Sequence, residues 1–94
     1  MENIINSTYK NIKSEYNNYI IWFIVDKYVE CFNECAEKTS NLLKLKLHKI
    51  NNRLQSGFIK KDLEKNLNKI VVKNKCNVLV YCINSHKLIK VETK

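Results

Sequence analysis

From Ile5 to Cys35 the apolar residues recur mostly every three or four positions: Ile5, Tyr9, Ile12, Tyr16, Ile20, Phe23, Tyr28, Cys31 and Cys35. That spacing predicts helix across most of 3–37. Asn17-Asn18 interrupts the pattern, and Asn18 is suited to cap a second helix over 19–37. The first piece is amphipathic. The second starts with an apolar run over 19–25, which predicts a central helix buried on every side, with Trp22 and Phe23 in the core beside Ile20 and Ile24.

Thr39-Ser40 is a helix-start signal, and Leu43, Leu47, Ile50 and Leu54 continue at helical spacing. Helix is therefore expected over 41–55, with Gly57 as its C-terminal cap. Residues 43–47 also alternate as a strand would. A further helix fits 58–69, where Ile59, Leu63, Leu67 and Ile70 share a face. Beyond Ile70 the period changes to two. Ile70-Val71-Val72 is β-branched, and the runs 77–83 and 87–92 flank the polar turn Asn84-Ser85-His86, which reads as a hairpin. The expected fold class is α+β: three to four helices followed by a small C-terminal antiparallel β-hairpin or three-stranded sheet. This order is similar in outline to a winged helix over 19–94. A length of 94 residues predicts one domain, 1–94.

Charge divides that domain. Residues 1–40, acidic and rich in aromatics, carry a net −2, whereas residues 41–94 carry a net +10. A field of that size attracts polyanions, and nucleic acid is the commonest one in a cell. The candidate nucleic-acid contacts are Lys44, Lys46, Lys49 and Arg53 on the third predicted helix. Lys60, Lys61, Lys65 and Lys69 follow on the fourth, and Lys87 and Lys90 on the hairpin. Long flexible cationic stems suit phosphate. Lysine outnumbers arginine sixteen to one, so the expected contact is with the backbone of RNA or DNA rather than with base edges.

Other chemistry is thin. A single glycine excludes glycine-rich phosphate loops. No paired carboxylates, triad or cofactor motif stands out, so neither an enzyme nor a cofactor is expected. Cys31 and Cys35 sit at i, i+4 and resemble one half of the twin CX3C motif of small mitochondrial import chaperones. Residues 47–60 hold no cysteine to complete it, so that family is not carried over. The cysteines are read as small core residues, neither disulfide-bonded nor metal-bound. Tyr9, Tyr16, Tyr19, Tyr28 and Trp22 are likewise read as core packing. The start Met1-Glu2-Asn3 is not basic and the longest apolar run has seven residues, so neither secretion nor a membrane span is expected, and the protein is read as intracellular.

The functional expectation is a small, basic, non-enzymatic nucleic-acid-associated protein, an RNA or ribonucleoprotein accessory or a DNA-binding regulator. The alternative is a protein-interaction module, an inhibitor or assembly subunit, using its aromatic N-terminal helices and able to form a homodimer.

Overall fold

A computed structural model describes residues 2–93. Met1 and Lys94, the ends of the expected domain, lie outside the described residues. The chain runs α1 (Glu2–Glu15), β1 (Ile20–Val25), β2 (Tyr28–Phe32), α2 (Asn33–Leu43), β3 (His48–Ile50) and β4 (Arg53–Ile59). A 3₁₀ turn (Lys60–Asp62), α3 (Leu63–Leu67) and a π turn (Asn68–Lys73) follow, and β5 (Val78–Cys82) and β6 (Lys87–Glu92) complete it. The six strands form one mixed sheet in the order β3-β4-β2-β1-β5-β6. Only β1 and β5 are parallel. This overturns the expected helices-then-hairpin order, and the winged-helix outline with it. The C-terminal hairpin does form, but as one flank of the larger sheet.

The largest correction falls on the apolar run. Residues 19–25 satisfy a helical and an extended pattern equally, because an unbroken run has no period to read. Four of the six β1 residues are β-branched, which favours the extended form. As a strand between β2 and β5, β1 is covered on both faces, and such strands read as continuous hydrophobic runs. Trp22 and Phe23 are both fully buried, on opposite faces. Trp22 lies edge-on to Phe58 and donates its indole N–H to Thr39 Oγ1 at 3.0 Å. Phe23 meets Tyr9, Phe32 and Tyr81, with ring centroids 5.9 to 6.5 Å apart. Helix α1 therefore lies on the Phe23 face and α2 on the Trp22 face.

The expected second helix starts fourteen residues late, at Asn33, after β2 has left the sheet through a left-handed Asn33 (φ 54°). Thr39 and Ser40 do not begin a helix. They lie inside α2, where Ser40 Oγ donates to the Glu37 carbonyl at 3.0 Å and Thr39 holds Trp22. The helix expected over 41–55 ends at a left-handed Lys44 (φ 57°) and gives way to the β3–β4 hairpin. Asn51 and Asn52 both have positive φ (50° and 62°), as a tight two-residue hairpin turn demands. Residues 70–72 close the π turn rather than a strand.

Gly57 is not a helix cap. It sits mid-strand in β4 opposite Glu30 of β2, and a Cβ there would lie 2.5 Å from the Val29 carbonyl oxygen. That approach forces β2 and β4 apart for any larger residue. Gly57→Ala is expected to cost about 1–3 kcal/mol, the usual range for overpacking. Urea denaturation of the variant checks it.

Candidate nucleic-acid interface

The two sheet faces are not equally covered. Cross-strand partners share a face. The β2–β4–β3 register therefore places Tyr28 beside Ile59, Glu30 beside Gly57, and Gln55 beside His48 on the α1 side. Helix α1 reaches this side at its base: Arg53 donates to Asn6 Oδ1 at 2.5 Å and stacks 4.4 Å over Phe32. Beyond Arg53 lies a depression of about 370 Å³, walled by Tyr28, Glu30, His48, Ile50, Gln55 and Ile59, with Gly57 in its floor. The absent side chain at Gly57 keeps that floor open.

Tyr28 follows the two-residue Asp26-Lys27 turn and is 58% exposed. It is the one aromatic among the exposed large hydrophobic residues described. The backbone N–H of Lys60 donates to the Lys27 carbonyl at 2.8 Å, which joins the end of β4 to this turn. Lys27, Lys60 and Lys61 line a second recess, of about 440 Å³, with Asp26 and Ile59. Ile59 pairs with Tyr28 and borders both hollows, so the lysine-lined recess adjoins the hollow that carries the exposed ring. The Cys82 thiol nearby is held below its ordinary value, chiefly by hydrogen bonding to Ser85 and with a smaller contribution from Lys60. Lys87 pairs opposite Cys82, so it extends the basic margin along the same end of the sheet.

Glu30 is half-buried and accepts from Gln55 Nε2 at 2.5 Å. Burial raises its carboxyl above the ordinary 4.5, while Arg53 pulls in the opposite direction.

The ten cations expected to bind nucleic acid do not form one stripe. Lys60 and Lys61 line the recess that adjoins the Tyr28 hollow. Arg53 is committed to Phe32 and Asn6. Lys90 is paired with Glu64, and Lys65 lies 3.9 Å from Asp62. The segment carrying Lys61, Lys65 and Lys69 passes from 3₁₀ through α to π geometry, so the expected i, i+4 alignment along one straight helix is lost. Lys44 caps α2, and the Lys46 carbonyl accepts from Ser56 Oγ at 2.8 Å. Lys49 pairs with Leu54 on the other sheet face. Lys27 and Tyr28 were absent from the expected set. The alternation of Tyr28, Val29, Glu30 and Cys31 is the signal that puts the tyrosine outward.

The cysteine pair also separates. Cys31 lies on β2, its thiol pushed up to about 12 chiefly by burial and set 3.5 Å from the Ser56 carbonyl. Cys35 lies in the first turn of α2, where its sulfur accepts the Ile21 N–H at 3.4 Å. The described residues hold no group of three or more His, Cys, Asp or Glu able to hold a metal ion. No described helix is long and apolar enough to cross a membrane.

Residues 5–92 match the family model of MutS domain I. The chain belongs to the MutS domain I family. MutS domain I is an α+β, DNA-binding domain of mismatch repair, so membership links the chain to nucleic acid at that coarse level. Comparison with curated proteins finds no match. Within this MutS domain I chain, the outer third of the sheet on the α1 side joins an exposed ring to a recess lined by Lys27, Lys60 and Lys61.

Because its folded value is raised, Glu30 favours the fold fully below pH 4.5, and this contribution fades as pH rises through the folded value. Glu30→Gln is therefore expected to abolish that decline and to raise the melting temperature at pH 7 relative to pH 4. Thermal melts at the two pH values check it.

Proposed function

We propose that this chain is a DNA-contacting module that binds without catalysing. Tyr28 stacks on a base while Lys27, Lys60 and Lys61 hold the flanking phosphates. The observation that carries the reading is the exposed Tyr28 ring on the rim of an open hollow, with three lysines lining the recess that adjoins it. Aromatic rings offer stacking to any base, and lysines neutralise phosphate without reading sequence. A disturbed base pair costs less to unstack than a regular one. The reading therefore fits a family of mismatch repair. RNA offers the same base faces and phosphates, so the preference for DNA rests on the family. DNA repair is intracellular work, in keeping with the expected location.

The test is fluorescence anisotropy with labelled duplex and single-stranded oligonucleotides at several salt concentrations. Stacking contributes about 1–3 kcal/mol per base. Tyr28→Ala should weaken binding accordingly while leaving the salt slope intact. Lys60→Ala with Lys61→Ala should flatten the slope on duplex by about 2. Wild-type affinity in Tyr28→Ala would remove the ring from the interface.

A further inference from the structure

Strand β6 ends the sheet, with only β5 as its strand neighbour. Leu88, Ile89 and Val91 along it are 46%, 46% and 41% exposed. An apolar, unpaired edge is a template for another strand. We infer that the β6 edge pairs with β6 of a second copy of this chain, antiparallel across a two-fold axis, to form a homodimer.

The bulge in β6 makes this register work. Val80 pairs with Lys90 and Tyr81 with Leu88, so Ile89 is the extra residue. In a regular strand, residues an odd number apart point to opposite faces. The bulge restores the phase. Leu88 and Val91, partners of Tyr81 and Leu79, share the α1 face. Lys87, Lys90 and Glu92, partners of Cys82, Val80 and Val78, share the other. A two-fold antiparallel pair requires facing residues to lie on one side of the sheet. With the bulge discounted, Lys87 then faces Glu92 of the second copy, Leu88 faces Val91, and Lys90 faces Lys90.

Two opposite-charge pairs thus close the ends of the interface, and four apolar side chains form a strip across the α1 side. The central lysines carry like charge, but each is already paired with Glu64 of its own chain on the same side. The opposite edge offers no such match. β3 has three residues, His48, Lys49 and Ile50; pairing it with its copy sets Lys49 against Lys49 with no acid on the strand. Joining at β6 merges two six-stranded sheets into one, with both Tyr28 hollows on the same side. The pairing is independent of whether those hollows bind DNA.

Sedimentation equilibrium of the whole chain tests it. The wild type should show a monomer–dimer equilibrium. Lys87→Glu and Glu92→Lys should each raise the dimer dissociation constant about tenfold, since each reverses two symmetric contacts. The double swap should restore the wild-type value. A carbodiimide should also join Lys87 to Glu92 between wild-type copies, a readout that needs no variant to fold. A chain monomeric at every concentration would overturn the inference. So would a dimer indifferent to the reversals, a double swap without recovery, or cross-links confined to other residues.

Discussion

Everything in this fold depends on burying β1 from both sides. Its Trp22 and Phe23 point in opposite directions and neither reaches solvent. A strand with two apolar faces needs a layer on each, and the chain supplies α1 on one and α2 on the other. The buried indole also needs a hydrogen-bond acceptor, which Thr39 provides from within α2. That one contact fixes the rotation of α2 against the sheet. The Phe23 cluster with Tyr9, Phe32 and Tyr81 does the same for α1, β2 and β5.

The proposed DNA-contacting surface follows from what this arrangement leaves over. α1 covers the part of its face around β1 and stops at Arg53, whose guanidinium closes the layer against Phe32. Beyond Arg53 the outer part of β2, with β4 and β3, forms the open depression. There Gly57 lowers the floor, Glu30 and Gln55 supply polar groups, and Tyr28 stands free at the rim. The Lys60 N–H to Lys27 carbonyl bond brings cations from two distant segments to that rim. Membership in the MutS domain I family links the chain to nucleic acid, and the proposal places the contact at this open third.

Local periodicity revealed α1, because its apolar face at Ile5, Tyr9 and Ile12 has one reading. It revealed the final hairpin for the same reason. It misled over β1, where an unbroken apolar run carries no phase, and over 41–55, where leucines at i, i+4 also fit a strand and its approach. Glycine was scarce, so asparagine and charged residues made the turns. Asn33, Lys44, Asn51, Asn52 and Asp26 all adopt positive φ, and no composition rule singles out the charged ones. The basic excess was legible as a count. Its distribution was not, since the Lys90–Glu64 and Arg53–Phe32 pairings bring together residues that tertiary structure alone makes neighbours. Tyr28 was hidden by the helical reading of its segment, which turned an outward ring inward.

The central claim is that nucleic acid meets this chain at the open third of its sheet. Photo-cross-linking to an oligonucleotide carrying 5-iododeoxyuridine, followed by mass spectrometry of the tryptic peptides, tests it most directly. The account predicts that the principal adduct lies on Tyr28. Adducts confined to the Lys69–Lys75 region, or to α1, with Tyr28 unmodified, would contradict it.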